Sequence, residues 1–273
     1  MGTVGRIGKT ATPARFDRIS WPRTARAAIA LQDRLRDRIR AGGPARRIRL
    51  IAGADVAYDA KKDRLIAAVL VFSYPELILR EVRSFTAAVR FPYIPGLLSF
   101  REAPALIRSY RRLRLRPDLL ICDGQGIAHP RGVGLASHLG LLLGVPTIGC
   151  AKSRLVGHHG EVGPDRGDRT SLLIGRRVVG SVIRTRTGVR PLYISSGHGI
   201  SLERSVEYVF ACGRGFRLPE PVRQADLFVA RLKRRAGHSS FVAQEQARES
   251  RPSLSHVRIG RGTGHERIAR RAT

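Results

Sequence analysis

Two aspartates stand where a folded chain holds a charge least easily. Asp55 lies inside the apolar stretch Leu50-Ile-Ala-Gly-Ala-Asp-Val-Ala-Tyr58, and Asp123 closes the run Leu119-Leu-Ile-Cys122. A carboxylate in a half-buried strand is costly unless it is paired or binds a metal. Asp55 can also be read as the end of a strand, capping a turn. Asp123 is followed by Gly124-Gln-Gly126, which lets backbone approach a ligand closely. Ligands of open α/β sheets bind beyond the carboxyl ends of strands. A lone Asp-Gly is an ordinary turn, but the dense run Asp123-Gly-Gln-Gly-Ile-Ala-His129-Pro-Arg131 argues against that. Two carboxylates on neighbouring strands make a hard oxygen site suited to Mg²⁺, which shares its coordination with waters and substrate phosphates. Such an ion polarises a phosphodiester, helps generate hydroxide and stabilises the leaving oxygen.

Other residues could complete that chemistry. Glu102, early in a helix, is a third carboxylate or the capping-box partner of Ser99. Lys152 is one of only five lysines among 50 basic residues, so a lysine there runs against the chain's own preference for arginine. Its compact ammonium suits a single phosphate oxygen, where arginine spreads over a fork. His198, in Ser195-Ser-Gly-His-Gly-Ile-Ser201, reads as a loop histidine presented to a helix N-terminus, where phosphates bind, or as a histidine making ordinary loop hydrogen bonds. Phe91-Pro-Tyr-Ile-Pro-Gly96 is a stiff aromatic loop. Tyr93 could wedge into a base stack when a nucleotide is extruded, although spacing alone favours a connector whose tyrosine packs on the core. His138 reads as structural, and His158 and His159 have no partners at metal-ligand spacing.

The elements that position these residues follow from periodicity. Residues 25–41 carry apolar positions at helical spacing, ended by Gly42-Gly43. Three strands follow at 48–58, 65–74 and 77–89, joined by short links as an antiparallel meander. The pattern then alternates: helix 99–114 with Ser99 as N-cap, strand 119–123, helix 133–143, strand 146–150, a hairpin of 171–174 with 178–184, strand 192–195, and closing helices 201–212 and 222–236. Three antiparallel strands and then α/β alternation predict an α/β fold with a mixed sheet flanked by helices. Residues 1–24 read as a basic leader and 237–273 as a basic tail, both without fixed structure, around one domain at 25–236.

Composition narrows the function classes. No apolar run is long enough to cross a membrane. The three cysteines form no CxxC pair, which argues against a zinc site or disulfide framework and for reduced thiols in a cytoplasmic protein. The net charge of +29 points to a polyanion, nucleic acid ahead of membrane. The arginine skew also reads as a coding bias, so charge alone does not decide. Nothing fixes the oligomeric state; a monomer is the default expectation.

Taken together, several stretches resemble the endonuclease V family. They are 51–58, 92–102, 123–131 continuing through 134–140, Gly149-Cys-Ala-Lys152, 195–201 and Leu218-Pro-Glu-Pro-Val-Arg223, in order from about residue 25 to 236. The resemblance implies a ribonuclease H-like fold. It implies that Asp55 and Asp123 ligate Mg²⁺ or Mn²⁺, with Glu102 close by through water, and that Lys152 and His198 face the scissile phosphate. Tyr93 with Pro92 and Pro95 would form a strand-opening wedge. Gly124, Gly126, Ile127 and Leu98 would line a pocket for a flipped hypoxanthine. The implied reaction nicks the second phosphodiester 3′ to a deaminated purine in DNA, or in RNA, leaving 3′-hydroxyl and 5′-phosphate ends. Ser196 replaces the family's usual proline and should loosen the loop carrying His198. Two alternatives stay open: a ribonuclease H-like nuclease of other specificity, and a non-catalytic nucleic-acid binder. A carboxylate cluster disfavours the second, because acids repel phosphate.

Overall fold

The computed structural model describes residues 20–40, 42–43 and 47–249, with side chains through residue 235. Most of the leader and the tail beyond 249 lie outside the described residues. One eight-stranded sheet organises the protein. Its first three strands, β1 (Leu50–Asp59), β2 (Arg64–Ser73) and β3 (Leu79–Ala88), form the expected antiparallel meander. β4 (Leu119–Cys122) and β5 (Thr147–Ala151) run parallel to β1. β6 (Arg169–Ile174), β7 (Arg177–Ile183) and β8 (Leu192–His198) complete the sheet in the order β3-β2-β1-β4-β5-β8-β7-β6. This is the expected mixed sheet flanked by helices.

Burial explains why the strands are apolar on both sides. α2 (Leu98–Arg111) and α3 (Leu135–Leu143) cover one face, packing on Ala52, Ala54, Val69, Leu120 and Cys122. α4 (Leu202–Ala211) and the N-terminal part of α5 (Glu220–Glu249) cover the other, packing on Ile51, Leu70, Leu119, Ile121 and Ile148. Each valine, leucine or isoleucine among them taken fully out of water contributes roughly 1.5–3 kcal/mol. α1 (Ala25–Arg36), capped by the Thr24 hydroxyl, packs near the β3–α2 connection through Ala28. The chain divides into two compact units, Met1–Arg234 and Arg235–Thr273. The sequence reading ends the domain at 236. Helix α5 continues to Glu249.

Two expectations about local structure need correction. Ser99 does not cap α2. The helix starts one residue earlier, with Leu97 at the N-cap, and the buried Ser99 hydroxyl instead lies 3.1 Å from His138 Nδ1. The segment carrying His198 is not a loop. β8 runs through His198, and Ser195 and Ser196 are fully buried in the ladder. A register irregularity lets Gly197 bulge, pairing Ile148 with Ser196 and Thr147 with His198. The three cysteines are buried and unpaired, as expected. Among the described residues, no helix is long and apolar enough to cross a membrane.

Candidate metal centre and active site

The sheet brings the two aspartates side by side. β1 and β4 pair in parallel with Ala54 opposite Cys122, and the Asp123 amide extends the ladder by donating to the Ala54 carbonyl at 3.0 Å. Asp123 therefore sits next to Asp55. A third carboxylate comes from across the core. Residue alternation turns Gly53 and Asp55 to the face covered by α5. A Cβ on Gly53 would lie 1.9 Å from the Pro221 carbonyl oxygen. Only a glycine lets the start of α5 settle on β1 this closely, and the approach carries Asp226 to the pair. One oxygen from each of Asp55, Asp123 and Asp226 lies within 4.8 Å of the others, and this is the one such group of three found among the described residues.

Charge at this cluster is under-compensated. Asp55 is 9 % exposed. Burial first, then the charge of Asp123, pushes its carboxyl up to about 8. Burial, then Asp55 and Asp123, pushes Glu102 up to about 8 as well. Glu102 thus lies close enough to feel both aspartates, and with Ser99 occupied elsewhere it is not spent on a capping box. Asp123 is raised by burial, against the pull of Lys152. Lys152 Nζ stands 2.6 Å from Asp123 and 3.0 Å from Asp226. Desolvation works against its charge, but the two carboxylates outweigh it and hold the ammonium well above its ordinary value. Arg217 donates to the Lys152 carbonyl at 2.6 Å and to that of Pro191 at 2.9 Å, fixing the strand end that presents the lysine. One ammonium cannot balance four ionised carboxylates, so Asp55 and Glu102 hold their protons without a metal, and three converging hard oxygens are the donor set of a divalent oxygen-seeking ion.

Beside the cluster lies a cavity of about 100 Å³, walled by Tyr93, Pro95, Leu98, Gly124, Gln125 and His129 among others. Tyr93 is 69 % exposed, so it projects from its proline-stiffened loop and does not pack on the core. The loop is held by one carbonyl. Gly96 O accepts from Gln32 Nε2 at 3.0 Å, His129 Nε2 at 2.8 Å and Arg131 Nη2 at 3.0 Å. Gln32, fully buried on α1, also donates to Val133 O and accepts from Arg131 Nε. His129 Nδ1 accepts from the Arg131 amide, and burial pushes the ring down to about 4, so it is neutral with its proton on Nε2.

Two residues expected to line the pocket stand behind the cavity wall. Gly126 and Ile127 do not line the cavity; they fasten the loop to the sheet. Ile127 N donates to Ser196 O at 2.8 Å, Gly126 N to Ser195 Oγ at 2.9 Å, and a Cβ on Gly126 would strike the Ser196 carbonyl at 2.1 Å. Val133, Leu135 and Leu155 also line the cavity.

His198 is not brought to the carboxylates. It pairs with Thr147, the first residue of β5, whereas Lys152 follows the last residue of that strand. Five residues of strand put them roughly 16 Å apart. There Nδ1 accepts from the Arg40 amide at 3.4 Å, and burial with Arg40 and Arg38 lowers its pKa. The expected role at the scissile phosphate does not follow from this geometry. Conversely, the sequence reading missed Asp226, Gln32 and Arg217. The resembling stretch 218–223, one turn before Asp226, was the available pointer to the first.

Comparison with known proteins agrees with this architecture. The sequence profile named Endonuclease V matches residues 33–227. Among curated relatives, endonuclease V of Dehalococcoides mccartyi is 48 % identical over 213 residues, covering 78 % of this chain and 96 % of its own length. That of Roseiflexus is 49 % identical over 210 residues, covering 76 % and 92 %. Among solved structures, endonuclease V of Streptomyces avermitilis is 39 % identical with a TM-score of 0.76, over 80 % of this chain and 96 % of that one. The catalytic domain of human endonuclease V is 34 % identical with a TM-score of 0.72, over 77 % and 96 %. The ribonuclease H-like sheet, the paired aspartates at its carboxyl end and these likenesses agree: the chain belongs to the endonuclease V family and is a hydrolytic endonuclease.

Proposed function

We propose that the protein nicks nucleic acid at the second phosphodiester 3′ to a deaminated purine, with Mg²⁺ held by Asp55, Asp123 and Asp226. The observation that carries this reading is the convergence of three carboxylates and Lys152 beside a small cavity topped by an exposed, loop-stiffened tyrosine. When bound, the ion supplies Lewis acidity toward the phosphodiester and lowers the pKa of water. The chain's own groups do the rest. Lys152 offers a point charge to a phosphate oxygen once the ion relieves it of the aspartates. Glu102 supports the centre through water. Tyr93 fills the space of an extruded base, and that base enters the cavity at Leu98, Gly124 and His129. The neutral ring of His129, locked onto Gly96 O, keeps the cavity wall uncharged.

The test is nicking of end-labelled oligonucleotides carrying one inosine, as single-stranded DNA, duplex DNA and RNA, with Mg²⁺, Mn²⁺ or chelator. A cut one nucleotide beyond the inosine, with 3′-hydroxyl and 5′-phosphate ends, is expected in at least one substrate and only with metal. Equal cutting of inosine and adenosine controls would defeat the specificity.

The metal centre also predicts a pH-dependent stability. The folded Asp55 titrates near 8 and its unfolded counterpart near 3.8. The folded state thus binds the extra proton, and the metal-free protein loses stability as pH rises through that window. A divalent ion that needs the ionised ligands reverses the loss. The Tm gained on adding Mg²⁺ should therefore grow between about pH 5 and 8. A gain that is flat with pH would remove Asp55 from the ligand set.

A further inference from the structure

A basic groove opens beside the wedge loop, on the edge-strand side of the sheet. Trp21, β3 and α2 enclose a groove of about 1050 Å³. Arg23, Arg90, Arg101, Arg108 and Arg111 line it, and among the described residues no carboxylate does. Four of these arginines are exposed and Arg101 is half-buried. Phe85 supplies an aromatic floor, with the guanidinium of Arg108 5.0 Å from its ring centroid. The groove joins the site already described. Phe91 at its end precedes the wedge residues, and Arg101, next to Glu102, donates to the Phe91 carbonyl at 3.1 Å. Arg101 also sits 4.5 Å over the ring of Tyr58, three residues beyond Asp55 on β1.

We propose that this groove is a track for the sugar–phosphate backbone of a substrate flank, continuous with the wedge. The proposal rests on the nuclease reading of the neighbouring site. Gathering five cations in one groove costs self-repulsion that a polyanion removes. An arginine-rich composition scatters cations over a surface, but it does not by itself keep the carboxylates of the described residues out of one large groove. Guanidinium groups grip phosphates in pairs of hydrogen bonds, and the Phe85 ring, with the guanidinium groups of Arg108 and Arg112 at 5.0 and 4.7 Å, steadies the cation that faces a duplex flank. From Arg101 to Arg111, α2 rises about 15 Å, the length of about four nucleotides at 3.4 Å each.

Binding to undamaged and inosine-containing duplex DNA oligonucleotides, by fluorescence anisotropy, tests it. The flanks are lengthened two nucleotides at a time, first on the 5′ side and then on the 3′ side. The parent should gain affinity over about four added nucleotides on one side and then level off. Arg90→Ala/Arg108→Ala should lose that gain, and its slope of log affinity against log salt should flatten by about 1.8, two phosphates at about 0.9 each. Arg90→Lys/Arg108→Lys should keep the slope. Nicking of the shortest inosine substrate should be equal in all three, which reports the carboxylate centre separately. An alanine variant with the parent's length dependence and salt slope would overturn the track, including the case in which the groove serves an acidic protein partner. Absence of inosine nicking by the parent would sink the nuclease reading alone, because the series on undamaged strands still decides the groove.

Discussion

Asp55→Asn should give a protein that is more stable than its parent without metal and does not nick. The substitution keeps the shape and removes the charge. In the metal-free parent at pH 8 that charge is held against burial and against Asp123, so its loss should raise Tm by at least about 2 °C, the shift that 1 kcal/mol makes in a domain of this size. Activity should fall by at least about 10³-fold, since interactions aimed at developing charge commonly carry effects of that order. The stabilising effect of Mg²⁺ should shrink in the same variant. Melting curves with and without Mg²⁺, together with the inosine assay, read all three. The pairing of opposite signs excludes misfolding as the cause of lost activity. Nicking at the parent's rate would remove Asp55 from the centre.

Gly53→Ala should damage stability and catalysis together, from a position bearing no chemistry. The new Cβ would meet Pro221 O at 1.9 Å and its carbonyl carbon at 2.2 Å. β1 cannot yield, because it is hydrogen-bonded to β2 on one side and β4 on the other. α5 must move, and Asp226 moves with it. A loss of about 1–3 kcal/mol, the usual cost of overpacking, is expected in urea unfolding, with a weakened response to Mg²⁺ titration. Gly160→Ala is the control: its Cβ would meet only Thr170 Oγ1 at an ordinary 3.6 Å. Parent-like Mg²⁺ dependence in Gly53→Ala would show that α5 does not deliver a ligand.

The strands and their order were legible because burial on both faces leaves long apolar runs such as residues 65–72, and because the two aspartates interrupt such runs. The stiffness of the 91–96 loop was legible in its prolines, whereas the exposure of Tyr93 was not, since spacing alone favoured a tyrosine packed on the core. Other parts were hidden by physics that acts across the fold. Asp226 occupies a polar position of an amphipathic helix, where an aspartate is unremarked until the close contact of Gly53 brings the helix onto β1. Gln32 reads as a solvent-facing residue of α1, yet it is fully buried because Gly96 O, Val133 O and Arg131 converge on it. The Ser-x-x-Glu pattern at Ser99 matched a cap that tertiary pairing with His138 overrode. The Gly-His-Gly segment reads as a loop on propensity, whereas the ladder with β5 continues through it by bulging at Gly197.

The three carboxylates come from β1, β4 and α5, at positions 55, 123 and 226. Synthesis delivers them in that order, and domains fold as units while the chain emerges. A partly made chain therefore carries the two strand aspartates well before it owns the third carboxylate. If Asp226 is a ligand as proposed, cutting competence waits until α5 has left the ribosome and closed on β1. A prematurely ended or proteolysed product lacking that helix would then be expected not to cut.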